Sequence, residues 1–396
     1  MILQDAYSTF QKILDPMPLD TFLDSVLGQR FIKIPGNAQS ARAHLFGDDP
    51  LQLALDSFEV LAPRMGCHSE APLGPHPVIE PLPSAEAFKA KIEAFYSLGY
   101  TVRLRDIRKL SPALDEFLRA MESIFHQPTT VEAFISRGDA HAPVHHDDYD
   151  IIVVQLSGKK RWFISNERSD LPNVWKTVPE GAVILGPHDI VEVDVGDFLY
   201  LPRGTKHRVD AMADSFHLSI GFIPLTMREA IIATLDHLSE YDRSFRESVD
   251  PRLALSIRNN NFGTLPEKIR EGLAKLQSVS RSDDFVAQSL QRRSSRAIAD
   301  LEKLPAPQGK VTLSAASLLR QSPLAVTHLM ATAQKIDLSH PGGHVYIHRG
   351  VEESVAFIVG NREFHVRDIP GEIGDDVRVA LAEKFVSAGL FEVVAG

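Results

Sequence analysis

Three side chains of the sequence have the types and spacing of a metal site. His145 and Asp147 are separated by one residue, and His207 follows sixty positions after Asp147. Because side chains alternate between the two faces of an extended strand, His145 and Asp147 are expected to point to one side and His146 to the other. Two imidazoles and one carboxylate on one face leave half of an octahedral coordination sphere open, which suits iron(II) in dioxygen chemistry. These three residues are therefore the candidate metal ligands.

The residues around these candidates favour a metal site over a solvated polar cluster, which is the alternative for a His-x-Asp pair in a chain with 16 histidines. His207 ends the frame Gly-Asp-x-Leu-Tyr-Leu-Pro-x-Gly-x-x-His, which begins at Gly196. In this frame a strand and a Pro-Gly turn return a histidine to the end of a sheet. His141, His146 and His217 are interpreted as hydrogen-bonded rim or core residues, with no role in metal binding.

Short apolar stretches around the candidate ligands predict β-strands. Ser157-Gly158 and Val195-Gly196-Asp197 are turn signals between them. Many short strands separated by glycine turns are typical of a sandwich or barrel, and a jelly roll is one of the standard closures. The predicted strands cover residues 130–135, 149–156, 160–164, 190–193, 198–201 and 216–222.

Helical periodicity on both sides of this β-region predicts a mixed α+β chain of several domains. Residues 1–225 are predicted to form the first domain, with a helical cover before a β-core at about 130–225 and an irregular Pro- and Gly-rich stretch at 61–84. Residues 226–305 are predicted to be helical, and residues 306–396 to form a winged-helix-like domain. The elements predicted for this last domain are helices over 314–319, 324–335 and 376–388 and a hairpin over 344–366.

Composition and charge exclude several classes of protein. With 44% hydrophobic and 24% charged residues, the chain is typical of a globular protein. The net charge of −10, and eight Lys and Arg against ten Asp and Glu within 307–396, argue against nucleic acid as a partner. Neither an apolar run of about 18 residues nor a secretory signal is visible, so no membrane association and a cytoplasmic location are expected. The single cysteine, Cys67, excludes a Cys-rich zinc finger.

The motif set resembles the JmjC-type cupin oxygenases and, among them, the ribosomal oxygenase branch, which hydroxylates side chains of ribosomal proteins. The resemblance is strongest over residues 130–225. It implies a double-stranded β-helix core that binds Fe(II), with 2-oxoglutarate and O2 as co-substrates. It also implies an N-terminal helical segment, a helical dimerisation region that would make the protein a homodimer, and a C-terminal winged-helix-like domain.

The same resemblance assigns roles to two further residues. Lys160 matches the basic residue that binds the far carboxylate of 2-oxoglutarate, where a charge-assisted hydrogen bond inside the barrel is stronger than in water. Its neighbours Lys159 and Arg161 are alternatives for that role. Ser219, on a late strand of the barrel, is a candidate to support the co-substrate or the substrate.

Several functions remain open at this point. The resemblance favours hydroxylation of a side chain in a protein or peptide. A hydroxylase of a peptide-derived or small metabolite, a demethylase of N-methyl-lysine and a non-catalytic metal-binding cupin are the alternatives. The segment before the motif reads Gly138-Asp-Ala-His-Ala-Pro-Val, where relatives are usually small and Gly-rich, so the substrate and its target residue are not fixed by the sequence.

Overall fold

The computed structural model describes residues 3–68, 82–172, 184–249, 253–307, 309 and 311–394. Most of the Pro- and Gly-rich stretch predicted to be irregular lies outside these residues. Contacts between Cα atoms divide the chain into two compact units, Met1–Pro224 and Leu225–Gly396. No helix within the described ranges is both long and apolar enough to cross a bilayer.

The first unit combines a helical layer with two antiparallel sheets. Its helices are α1 (Leu3–Leu14), α2 (Leu19–Ser25), α3 (Pro50–Asp56), α4 (Phe58–Leu61), α5 (Ala85–Ser97) and α6 (Pro112–Phe125). Its strands are β1 (Ile32–Ile34), β2 (Gly66–His68), β3 (Thr101–Leu104), β4 (Thr130–Ser136), β5 (His141–His145), β6 (Asp150–Ser157), β7 (Lys160–Ser165), β8 (His188–Val193), β9 (Phe198–Leu201), β10 (His207–Ala211) and β11 (Ser215–Phe222).

The two sheets of this unit face each other. The larger has the order β1-β9-β6-β11-β4-β3-β2 and the smaller the order β5-β10-β7-β8. Strand β6 is buried on both faces: Ile152 and Val154 pack against the helices, whereas Ile151 and Val153 face the smaller sheet. This explains why its sequence is a continuous apolar run rather than an alternating one. The predicted mixed α+β class with a jelly-roll core is confirmed.

Local sequence signals account for the ends of the main elements. Helix α6 begins at Ser111, whose side chain accepts a hydrogen bond from the Leu114 backbone N–H, with Pro112 in the first turn. Gly158 connects β6 to β7 with φ +65°, and a Cβ there would overlap the carbonyl oxygen of Asp214. The turn predicted at this position therefore requires glycine.

The second unit contains helices and two small antiparallel sheets. Its helices are α7 (Met227–Tyr241), α8 (Leu253–Arg258), α9 (Leu265–Val279), α10 (Asp283–Ala299), α11 (Glu352–Gly360) and α12 (Asp375–Ser387). Its strands are β12 (Leu318–Gln321), β13 (His328–Ala331), β14 (Lys335–His340), β15 (Gly343–His348), β16 (Glu363–His365) and β17 (Phe391–Val393), ordered β16-β12-β17 and β13-β14-β15.

Several elements predicted within this unit are wrong. The helices expected over 314–319 and 324–335 are replaced by β12 and β13, because these apolar stretches pair with β16, β17 and β14. The expected hairpin over 344–366 is absent from the described residues: β15 pairs back with β14, and α11 occupies the middle of the stretch. The last helix is present as α12. The boundary between residues 226–305 and 306–396 remains a prediction.

Candidate metal centre

The structure brings the three predicted metal ligands together at one end of the smaller sheet. One ligand atom from each of His145, Asp147 and His207 lies within 4.8 Å of the others. The two histidines are direct partners across β5 and β10, and their ring centroids are 4.3 Å apart. Asp147 differs from the expectation, because β5 ends at His145 and the following loop, rather than strand alternation, carries the carboxylate inward. Asp147 Oδ2 is 3.6 Å from His207 Nε2.

Hydrogen bonds to the backbone fix which nitrogen of each histidine faces the centre. His145 Nδ1 is 2.7 Å from the carbonyl oxygen of Pro143, and His207 Nδ1 is 2.9 Å from that of Thr205. A carbonyl oxygen can only accept, so both Nδ1 atoms carry the proton and donate. Both Nε2 lone pairs are therefore available to a metal, in the arrangement that holds metal-binding histidines in other proteins.

Burial keeps the most enclosed ligand in its neutral form. His207 is 2% exposed. Burial first, and the nearby His145 second, lower the pKa of His207 to about 4. Neutral imidazole is the form that binds metals, so this donor needs no deprotonation near pH 7. Asp147 is 36% exposed on its side chain, which places the open side of the centre next to the carboxylate.

Lys160 lies in the same cavity as the three ligands, deep between the two sheets. The cavity has a volume of about 510 Å³ including its open mouth. Lys160 is 3% exposed, and its Nζ donates to Ser136 Oγ at 2.8 Å. Burial lowers the pKa of its ammonium to about 7, and no charge of the described residues offsets that effect. The cavity therefore offers a cationic group without an anionic partner.

The two basic neighbours of Lys160 are directed elsewhere. Lys159 Nζ is 2.7 Å from a carboxylate oxygen of Glu192, and Arg161 is 2.8 Å from the other oxygen of the same side chain. Glu192 lies on β8, and both basic side chains are at least one-third exposed. Of the three candidates for the anion-binding role, Lys160 is the one that lines the cavity.

Comparison with known proteins identifies the region that carries this centre. A family model described as the JmjC domain matches residues 104–230, which include all three candidate ligands and Lys160. Residues 104–230 are a JmjC domain. The resemblance to the JmjC oxygenases and their ribosomal oxygenase branch is confirmed.

Curated relatives of the JmjC domain are ribosomal oxygenases. Ribosomal oxygenase 2 of Rattus norvegicus is 26% identical over 170 residues, which cover 39% of this chain and 36% of that protein. Ribosomal oxygenase 1 of Gallus gallus is 29% identical over 142 residues, which cover 35% of this chain and 24% of that protein. The chain thus spans little more than a third of either relative.

A solved structure matches nearly the whole chain in fold. YcfD, a ribosomal oxygenase from Escherichia coli in complex with cobalt and 2-oxoglutarate, has a TM-score of 0.53 and 16% identity. The match covers 96% of this chain and 99% of that one. At this identity it shows a shared fold that extends beyond the JmjC domain into the second unit.

Other residues of the JmjC domain line the cavity, and most of them were not singled out by sequence. Ser219 on β11 is there, as expected. Thr101 and Ser136 are additions, with their hydroxyl oxygens 3.0 Å apart. His217 also lines the cavity, with its ring stacked on Phe134 at 5.1 Å. The one available signal was the alternation along β4 and β11, which turns every second residue toward the cavity.

The remaining histidines near the motif contribute no atom to the ligand group. His141 Nδ1 lies 2.8 Å from Asp210 Oδ1, with its side chain 46% exposed. His146 Nδ1 is 4.0 Å from Asp148 Oδ1. His145 and Asp147 are therefore selected over their polar neighbours by the chain path around β5.

Proposed function

We propose that the protein is an Fe(II)- and 2-oxoglutarate-dependent oxygenase that hydroxylates a side chain of a protein or peptide, with a ribosomal protein as the leading candidate. The observation that carries the proposal is the combination of one three-ligand centre and one buried ammonium in a single cavity. The donor set suits iron(II) with open coordination positions. The ammonium suits the far carboxylate of a dicarboxylate co-substrate.

Each residue has a distinct task in this proposal. His145, Asp147 and His207 would hold the metal, and Lys160 with Ser136 would bind and orient the far carboxylate of 2-oxoglutarate. Ser219 lines the same cavity and would support the co-substrate or the substrate. When bound, iron, 2-oxoglutarate and O2 supply the oxidising chemistry, with succinate and carbon dioxide as products. The protein supplies binding, orientation and a cavity closed at the Lys160 end.

The names of the relatives support a polypeptide substrate. Two are called ribosomal oxygenases, and a relative from Dictyostelium discoideum is called a bifunctional lysine-specific demethylase and histidyl-hydroxylase. Hydroxylation of a ribosomal-protein side chain is therefore our first choice, and lysine demethylation is the second. A metabolite hydroxylase and a non-catalytic cupin are the remaining alternatives.

The second unit supports assembly into a homodimer. Its helices α7 and α9 carry large apolar side chains that are exposed in one copy of the chain, among them Met227 at 76%, Ile231 at 49% and Leu273 at 59%. Exposed apolar residues of this size are typical of association surfaces. We propose that a second copy of the chain covers them, and that the dimer works in the cytoplasm.

The test is formation of succinate from 2-oxoglutarate by protein loaded anaerobically with Fe(II) and then exposed to O2. Wild type is compared with His145→Ala, Asp147→Ala and Lys160→Ala, and Lys159→Ala serves as the matched control outside the cavity. Binding of 2-oxoglutarate is recorded on the same samples, since turnover without substrate is slow. Binding and turnover in wild type and Lys159→Ala, lost in the other three, support the oxygenase. Wild type that holds iron but neither binds nor consumes 2-oxoglutarate would favour the non-catalytic cupin.

A further inference from the structure

A buried carboxylate lies immediately behind the candidate metal centre. Asp150 begins β6, three residues after Asp147, and its side chain is fully buried. It accepts a hydrogen bond from the Tyr200 hydroxyl. It also accepts one from the Arg203 backbone N–H at 3.3 Å and one from the Arg203 guanidinium at 3.2 Å. A buried charge is costly unless it is paired and hydrogen-bonded, so this site needs an explanation.

The partners of Asp150 lie in the turn that leads to His207. This turn, residues 202–206, connects β9 to β10. The Gly204 N–H donates to the Asp147 carbonyl oxygen at 2.7 Å. The Thr205 carbonyl oxygen accepts the hydrogen bond from His207 Nδ1 at 2.9 Å. The turn therefore contacts the backbone of one candidate ligand and the ring of another.

We propose that Asp150 is a positioning residue for the metal centre: by binding Arg203 and Tyr200 it holds the 202–206 turn against the loop that carries Asp147. The separation between Asp147 and His207 is then set by the protein before any metal arrives. The inference rests on the metal-binding part of the proposed function, and it requires neither 2-oxoglutarate nor a particular substrate.

The expected effect of removing the Asp150 charge is a loss of metal affinity. Asp150→Asn keeps the shape of the side chain but presents Arg203 with an amide instead of a carboxylate, which weakens the hold on the turn. Residues that orient metal ligands typically change affinity by about 10–100-fold when they are replaced. We expect Co(II), used as a spectroscopic probe, to bind Asp150→Asn with a dissociation constant raised about 10–100-fold. The visible absorption of the bound Co(II) should also change, because the ligand geometry is less well defined.

Asp197 at the other end of β9 provides a matched control. It is also buried, and its oxygens accept from the Gly36 and Asp194 backbone N–H groups, both at 2.8 Å. Its cationic partner is Lys33, at 2.7 Å. Asp197→Asn therefore removes a similar buried charge from the same strand without touching the turn. A loss of stability is expected in both variants, but a loss of Co(II) affinity only in Asp150→Asn.

The experiment titrates the full-length chain with Co(II) and follows its visible absorption, with thermal unfolding measured on each variant. The inference is supported when Asp150→Asn is folded, binds Co(II) at least about tenfold more weakly than wild type, and Asp197→Asn binds like wild type. Wild-type affinity in Asp150→Asn, or an equal loss in Asp197→Asn, would overturn it.

A second variant protects the test against misfolding. Should Asp150→Asn fail to fold, Arg203→Gln removes the same ion pair from a side chain that is 13% exposed and carries the same expectation. Wild type that binds no Co(II) would instead overturn the metal centre itself. Wild type that binds Co(II) but shows no 2-oxoglutarate turnover would leave this inference standing and remove the oxygenase proposal.

Discussion

Replacing Lys160 by methionine should make the metal-free protein more stable and the co-substrate site weaker. In the folded protein, burial lowers the pKa of the Lys160 ammonium from 10.5 to about 7. At pH 7 the unfolded chain carries this proton and the folded chain holds it at a cost of about 4 kcal/mol, with each pH unit of the difference worth about 1.36 kcal/mol. Methionine has a similar length and no charge, so it avoids this cost.

Two effects reduce the stability gain. Lys160→Met breaks the hydrogen bond to Ser136, which contributes roughly 1 kcal/mol. Water that enters the cavity also solvates the ammonium and lowers the actual cost of burying it. We therefore expect a net gain of about 1–3 kcal/mol at pH 7. For a unit of this size that corresponds to a rise in Tm of roughly 2–12 °C.

The pH dependence separates the charge effect from simple packing. Between pH 7 and 10.5 the unfolded state binds more protons than the folded state at Lys160, so wild-type stability due to this group rises with pH. The difference in Tm between Lys160→Met and wild type should therefore shrink from pH 7 to pH 10. Lys159→Met is the control: its side chain is exposed and paired with Glu192, so its effect should stay within about 0.5 kcal/mol.

The same variant should lose affinity for 2-oxoglutarate. A hydrogen bond between charged groups contributes about 1.5–3 kcal/mol, which is roughly 10–150-fold in the dissociation constant. Calorimetry on anaerobic Mn(II)-loaded protein measures this loss, and differential scanning fluorimetry measures the stability. Lys160→Met that is less stable than wild type by an amount independent of pH would refute the burial argument. Affinity within about twofold of wild type would refute the role in anion binding.

Three further predictions follow from the structure. At pH 8, binding of 2-oxoglutarate to wild type should take up close to one proton, because a bound carboxylate raises the pKa of Lys160 from about 7; equal binding heats in buffers of different ionisation enthalpy would contradict this. Gly204→Ala should weaken Co(II) binding tenfold or more, since Gly204 has φ +77° and a Cβ would overlap Pro172; Co(II) titration with wild-type affinity would disprove it. Ile231→Glu and Leu273→Glu should convert a dimer to a monomer in light scattering, whereas the exposed polar control Gln277→Glu should not.

The parts of the site that depend on local sequence could be predicted, and the parts that depend on strand pairing could not. The spacing of His145 and Asp147 and the frame before His207 are local signals. Thr101 and Ser136 reach the cavity because β3 pairs with β4 in the register that places Val102 opposite Ile135. Residues 35 positions apart in the chain then share a hydrogen bond. Nothing in the sequence near either residue specifies that register.

Tertiary contacts also explain where local patterns were misleading. The chain leaves β5 at His145, and the Asp147 carbonyl oxygen is bound by the Gly204 N–H from a distant turn. Strand alternation therefore gave the right neighbours for the wrong reason. In the second unit, Leu318 and Leu319 fit a helical pattern, but pairing with β16 and β17 places them in a sheet. Short apolar stretches of this kind do not distinguish a helix from a strand.

The two buried charges of the JmjC domain differ in how the protein compensates them. Burial raises the pKa of Asp150, but hydrogen bonds from Tyr200 and Arg203 and the Arg203 charge all oppose that rise. Lys160 has one neutral hydroxyl, Ser136, and no opposing charge among the described residues. A folded protein keeps an uncompensated charge at a cost to its own stability, so the compensation for Lys160 must come from a ligand. Asp150 therefore belongs to the structure of the site, and Lys160 to its binding of an anion.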